Sequence, residues 1–211
     1  MIKLYSTRKS EQILRRYENW IDTVSRRYGI PAACIKAILF MELTEIDLLD
    51  LAADFAVQGY WWRYALGTRL QRAGLVRGEV PKLRRGVFGK KDSSTGHAQI
   101  FGYVGIQAIN FALDRGLVTP ETLGVPADHR LRSEDPEDLC AVWRLLHRNS
   151  RANLEIASLN LLSAAEEMTG RIDFAGYTPE ELKLVLTRYN ANVKHITAYG
   201  EKAYQQYLRF R

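Results

Sequence analysis

The sequence predicts an all-α fold, and three observations carry that expectation. Apolar residues recur at helical spacing along most of the chain, and no convincing period-two run interrupts them. Four of the six prolines, Pro31, Pro120, Pro136 and Pro179, stand where a helix would begin rather than inside one. With 211 residues, 46% hydrophobic and 26% charged, the chain is long enough for one substantial core and short for two. A single domain over residues 1–211 is therefore expected. No stretch approaches the roughly 20 apolar residues that span a bilayer. The opening Met1 to Ser10 has no apolar core of the secretory type, so a soluble chain without an export signal is expected.

The first helix is expected over about Glu11 to Tyr28, with Ile13, Leu14, Tyr17, Trp20, Ile21 and Val24 on one face and Gly29 ending it. A second is expected from Pro31 to near Val57, buried up to Leu43 and amphipathic beyond it through Thr44, Glu45, Asp47, Asp50 and Asp54. Trp61, Trp62, Tyr64 and Leu66 suggest a short helix or an aromatic cluster, and glycines and Pro81 then punctuate a basic insert, 58–91. Lys90 to Gly96 reads as a turn leading into a helix that carries Ile100 to Leu113 and stops at Gly116. Thr119-Pro120-Glu121 starts a single turn. Asp135-Pro136-Glu137-Asp138 opens a helical pattern running to Met168, interrupted near Asn149-Ser150. Its second part, Leu154 to Ala165, is apolar on most sides and belongs at the centre of a bundle. Thr178 with Glu181 forms a capping box for the next helix, and a last helix covers about Val193 to Leu208.

Charge is unevenly distributed. Between Arg63 and Lys91 nine basic residues face only Glu79, so this segment carries +8 of a net +6 and the remainder sums to −2. Such a segment attracts polyanions or is a solvated surface that needs charge. The two cysteines, Cys34 and Cys140, make no disulfide framework, although a bridge between them is possible. The four histidines show no metal-site spacing, and no phosphate-binding glycine loop or dinucleotide fingerprint is present, so no cofactor is expected. Asp47, Asp50 and Asp54 could hold a divalent cation, but a solvated helix face is the simpler account, and no metal is expected.

One carboxylate stands out. Glu42 follows the apolar run Ala37-Ile38-Leu39-Phe40-Met41. Burial there disfavours the charged form and raises the carboxyl pKa toward neutrality, as general-acid cleavage of a glycosidic bond requires. The handling of an acid by an apolar pocket in this way is the known behaviour of lysozyme. Glu42 could instead lie on an exposed stripe or pair with a buried arginine. Glu45 is its rival, one helical turn on and on nearly the same face. Downstream lie Ser94-Thr95-Gly96-His97-Ala98-Gln99-Ile100 and Arg188-Tyr189-Asn190-Ala191-Asn192.

In that order the three elements resemble those of the lytic transglycosylase and goose-type lysozyme superfamily. Its members place a catalytic glutamate near the end of an apolar helix, then a Gly-x-x-Gln element at the mouth of the cleft, then an Ala-Tyr-Asn-Ala-Gly element. Here Gly96 to Gln99, preceded by serines, is similar to the second and Arg188 to Asn192 to the third. The closing Ile196 to Tyr204 is similar to the tyrosine-bearing helix that follows. The chain departs from the pattern at Leu43, where serine is usual, at Ala98 in place of methionine, and at Asn192 in place of glycine. Its 54-residue spacing from Glu42 to Gly96 is long, and the basic insert accounts for it.

The resemblance implies a lysozyme-like helical domain that cleaves the bond between N-acetylmuramic acid and N-acetylglucosamine in peptidoglycan, either as a lyase or as a hydrolase. It implies Glu42 as acid and then base, and Ser94, Gly96, Gln99, Tyr189 and Asn190 as substrate-binding residues. Gly96 would allow close backbone approach, Tyr189 would orient the carboxyl group or the developing cation, and Asn190 would fix the local turn. A two-carboxylate hydrolase would need a second acid, for which Asp92 and Asp50 are the candidates. The partner expected is a glycan strand, with Arg63 to Lys91 biasing binding toward an anionic wall polymer. Localisation is expected to be cytoplasmic, or at the wall after delivery by a holin, a secretion machine or lysis. Two other readings stay open: a non-catalytic wall-binding module on the same fold, and a basic helical protein that binds nucleic acid.

Overall fold

Helix α1 (Thr7–Tyr28) starts where Ser6 accepts the Lys9 backbone N–H and ends at Gly29, which sits at φ 67°. Ile13, Leu14, Ile21 and Val24 are buried along one stripe, as the spacing requires. The computed structural model describes residues 3–76, 90–125 and 129–211. The insert positions Arg77, Glu79, Lys82, Arg84 and Arg85 fall outside them. Helix α2 (Ala32–Glu45) is buried on nearly every side from Ala33 to Leu43.

The single helix expected from Pro31 to Val57 is two. Ile46 adopts extended backbone (φ −56°, ψ 129°), and Asp47 opens α3 (Leu48–Arg72) with a capping box. Asp47 accepts the Leu49 and Asp50 backbone N–H groups at 2.8 and 3.3 Å, and Asp50 accepts the Asp47 N–H at 2.9 Å. Two orphan donors are satisfied locally, which stabilises a helix start in mid-pattern. Asp47 and Asp50 thus cap a helix rather than line a solvated face, and no metal-ligating cluster occurs among the described residues. The aromatic stretch at Trp61 and Trp62 continues α3 instead of forming a separate short helix.

A second difference lies at the glutamine element. Ser94–Thr95 (β1) and Ile100–Phe101 (β2) pair antiparallel as a minimal hairpin, with Gly96 to Gln99 as its turn, so the helix α4 (Gly102–Asp114) starts later than expected. Asp92 explains the start: its carboxylate accepts the Gly102 and Tyr103 N–H groups at 2.7 and 2.9 Å and holds the first turn of α4.

The remaining helices are α5 (Pro120–Leu123), α6 (Pro136–Arg148), α7 (Ser150–Thr169), α8 (Pro179–Asn190) and α9 (Ala198–Phe210). Asn149 caps α7 where the interruption is expected, and Thr178 with Glu181 forms the expected capping box. The last helix begins five residues later than its pattern suggests, at the Thr197 cap. Helix α7 is the buried centre and packs against α1, α4, α6 and α8. Its Glu155 is buried yet satisfied, accepting from the Tyr28 hydroxyl at 2.6 Å and the Arg27 guanidinium at 2.5 Å, which ties the end of α1 to the centre. The fold is all-α apart from the hairpin. Cys34 and Cys140 are both buried and free, so the possible bridge does not form. No helix among the described residues is long and apolar enough to cross a membrane.

Helix α9 lies against α2 and α8, and its fit to α8 depends on Gly200. A Cβ there would stand 1.9 Å from Thr187 Oγ1 and 2.7 Å from the Lys183 carbonyl oxygen. Because one obstacle is backbone, a side-chain rotation cannot relieve the clash. Gly200→Ala is expected to cost about 3 kcal/mol, at the upper end for overpacking; urea unfolding indistinguishable from wild type would contradict this packing.

Candidate active site

A cleft of about 390 Å³ opens between the α2–α3 junction and the hairpin, with α7 and the end of α8 behind it. Glu42, Glu45, Ser94, Gln99, Tyr189 and Asn190 all line it, so six of the seven residues singled out from sequence converge on one space. The exception is Gly96.

Glu42 is only 8% exposed. Its Oε1 accepts a 2.5 Å hydrogen bond from the Tyr199 hydroxyl on α9. Burial pushes its pKa up to about 7; the Tyr199 bond pulls the other way, and the charges of Glu45 and Asp50 add to the rise. Burial and the neighbouring Glu42 hold the Tyr199 hydroxyl well above the ordinary tyrosine range, so it stays a donor. Glu45, by contrast, is exposed and bound to Lys3, whose Nζ lies 2.7 Å from Oε2 and 2.6 Å from the Glu45 carbonyl. The two carboxylates share the cleft but not an environment. Only Glu42 is buried away from solvent.

The hairpin forms the facing wall. Gln99 sits at φ 45°, the one non-glycine residue with positive φ among those described. A bulky residue in that region costs on the order of 1 kcal/mol, which the turn must offset. Its amide is held at both ends, Nε2 donating to the Gly96 carbonyl at 2.8 Å and Oε1 accepting from Ser94 Oγ at 3.2 Å. One amide hydrogen and one lone pair are left for a ligand.

Gly96 does something other than expected. It adopts φ 71°, and a Cβ on it would lie 2.4 Å from Nδ2 of Asn153 on α7. The close approach is to Asn153, not to the cleft. Asn153 is 1% exposed, accepts the Ala98 N–H at 2.9 Å and donates to the Thr95 carbonyl at 3.0 Å, clamping both sides of the turn. Tyr189 also serves the turn: its hydroxyl donates to the Ala98 carbonyl at 2.8 Å. The phenol that orients Glu42 is therefore Tyr199 rather than Tyr189. Asn190 ends α8 with its side chain exposed at the cleft.

Further bonds fix the hairpin from beneath. Asp54 accepts from Ser93 Oγ at 2.7 Å and from Thr95 Oγ1 at 2.8 Å, and Thr95 Oγ1 also meets His147 Nδ1 at 2.9 Å. Trp143 stacks on His147 and donates to Ser93 Oγ at 3.1 Å. His97 faces away from the cleft, its Nδ1 2.7 Å from the Tyr17 hydroxyl. The two candidates for a second acid are committed elsewhere: Asp92 holds the start of α4 and lies outside the cleft, and Asp50 lines it while closing the capping box. Contributors not picked out from sequence include Tyr199 and Asn153, and Phe101, Tyr103 and Asn160 in the cleft lining, the last from α7. Asn153 and Asn160 are seven apart, so they share one face of α7, and that spacing was a readable signal.

Glu42 has a folded-state pKa near 7 against an ordinary 4.5. The stability its carboxyl contributes is therefore fully present below pH 4.5 and lost as the pH rises through about 7. A Glu42→Gln variant does not titrate there and should gain about 3 kcal/mol relative to wild type between about pH 4 and pH 8. Urea unfolding at the two pH values measures this; a constant difference would mean that Glu42 ionises as an ordinary surface acid. Comparison of the chain with protein-family models, curated protein sequences and solved structures found no match.

Proposed function

We propose that the protein is a glycan-cleaving enzyme that works with one glutamate, and that its substrate is the peptidoglycan strand. The observation that carries the reading is Glu42: a buried acid at the wall of an open cleft, held by Tyr199, with a pKa near 7. A carboxyl group in that state is protonated in a large fraction of molecules at neutral pH and can still accept a proton afterwards. In the proposed cycle Glu42 gives its proton to the bridging oxygen as the bond from the anomeric carbon to that oxygen breaks. A hydroxyl of the same sugar then bonds to the anomeric carbon, and its proton returns to Glu42. Gln99, Asn160 and Asn190 offer donors and acceptors to sugar substituents, and Phe101 and Tyr103 give the hairpin side an aromatic rim for sugar faces.

The disposition of acids favours this intramolecular route over hydrolysis. Glu45, Asp47 and Asp50 come from the same α2–α3 junction as Glu42, and each already has a partner, in Lys3 or in the capping box. Among the described residues the hairpin wall carries no carboxylate in the cleft. A two-carboxylate hydrolase needs an acid placed across the ring. The order of Glu42, the Gly96–Gln99 turn and Tyr189-Asn190 along the chain, with their meeting in one cleft, agrees with the resemblance to lytic transglycosylases. The surplus positive charge between Arg63 and Lys91 suits an anionic wall polymer as a further partner.

Digestion of purified peptidoglycan followed by mass spectrometry of the muropeptides tests the reading. Anhydro ends are expected; reducing ends would mean hydrolysis, and no products would leave a binding module. Glu42→Gln should lower turnover about a thousandfold with folding intact. Wild-type activity should fall as the pH rises through about 7. In Tyr199→Phe that alkaline limb should move up by about one pH unit, because the lost hydrogen bond favoured the charged carboxylate.

A further inference from the structure

Helix α3 exposes apolar side chains that the candidate active site does not use. Leu48, Leu51, Phe55, Trp62 and Leu66 are all exposed, Phe55 and Trp62 at 65% each. At 100° per residue they fall within a narrow arc, so they form one apolar stripe, interrupted at Gln58 and Gly59, along a helix about 38 Å long. The opposite side of the same helix buries Ala56, Val57, Tyr60 and Trp61 against the core. Scattered exposed leucines need no account, but an aligned stripe that carries two aromatics does.

Cations flank the stripe. A groove of about 360 Å³ runs between α3 and α6, with Phe55 and Trp62 on one side and Arg144 and Arg148 on the other. Arg144 and Arg148 have no ion-pair partner among the described residues, and neither has Arg69 farther along α3. The acids of α3 are not available to oppose them. Asp50 closes the capping box, and Asp54 is engaged by Ser93, Thr95 and His147.

We propose that this face docks on an anionic lipid surface, α3 lying in the plane of the interface. An interfacial helix presents an aliphatic and aromatic stripe to the acyl boundary and arginines to the phosphates beside it. The indole of Trp62 and the arginine stems suit that boundary, where one end is apolar and the other wet. Two other occupants fit less well. A second copy paired through the stripe would bring flanking arginines together without acids to meet them. A nucleic acid would satisfy the cations and stack on Phe55 and Trp62, but would leave Leu48, Leu51 and Leu66 against a charged backbone.

Vesicle co-sedimentation of the full chain tests the proposal, with phosphatidylglycerol–phosphatidylcholine vesicles compared against phosphatidylcholine alone. Binding is expected only to the anionic vesicles and should weaken with salt. The paired change Phe55→Glu and Trp62→Glu should lower that binding more than about tenfold, and Arg144→Glu with Arg148→Glu by about tenfold. Both variants should keep the helical circular dichroism of wild type. Of the four tryptophans, Trp62 alone is exposed, so the vesicle-induced blue shift of emission should vanish in Trp62→Phe while binding persists. Glu42→Gln should bind vesicles as wild type does, which separates this proposal from the catalytic one. Absence of binding to anionic vesicles would overturn it. So would full binding by the Phe55→Glu, Trp62→Glu variant, or a concentration-dependent dimer that the same variant dissolves. Tighter binding to single-stranded DNA than to vesicles would overturn it as well.

Discussion

A carboxyl group at the inner end of an apolar helix must find a donor or lose its charge, and most of this molecule is arranged around how Glu42 does both. The donor comes from Tyr199, 157 residues away in sequence. For that phenol to arrive, α9 must pack on α2 and α8 at close range, which the missing side chain at Gly200 permits. Thr187 on α8 marks the contact and also accepts the Thr197 N–H at 3.2 Å, so the crossing and the start of α9 are fixed by one residue. A single hydrogen bond thus ties the acid to the position of the last helix. The bond is worth little in net energy, but it sets which proton the acid shares and holds back the rise in pKa that burial causes.

The facing wall follows a different physical logic. Two strands of two residues each cannot hold a turn by themselves. The hairpin stands because its polar groups are satisfied from four helices: Asp54 from α3, His147 from α6, Asn153 from α7 and Tyr189 from α8. Low-dielectric networks of this kind are rigid when every member is paired. The cleft is therefore preformed, and little ordering is left for a ligand to impose.

How far this was legible in the sequence depends on the range of the deciding interaction. Helix identity came from periodicity and caps, which act within a few residues, so Gly29, Asn149 and Thr178 were readable. The α2–α3 break was equally local, an Asp47–Asp50 capping box, but the amphipathic pattern running through it masked the signal. The hairpin was hidden for another reason: its strands are too short to show alternation, and its stability lies in Asp54, His147 and Asn153, far along the chain. Glu42 could be found because a carboxylate in an apolar run is anomalous anywhere. The orienting role was read at Tyr189 and belongs to Tyr199, since both are tyrosines near a helix end and only packing distinguishes them. Gly96 shows the same limit: its need for a small residue was clear, its partner was not.

The anchoring of Asp92 and Ser93 has a consequence for how this chain can vary. The segment between Arg72 and Asp92 leaves from a helix end and returns to a point held by the start of α4, by Asp54 and by Trp143. Lengthening or exchanging a connection between fixed points costs entropy only as the logarithm of its length. With the Asp92 end held by Asp54, Trp143 and the start of α4, a change in the length of chain before it is absorbed ahead of the turn, and the acid and the turn that face each other stay in register.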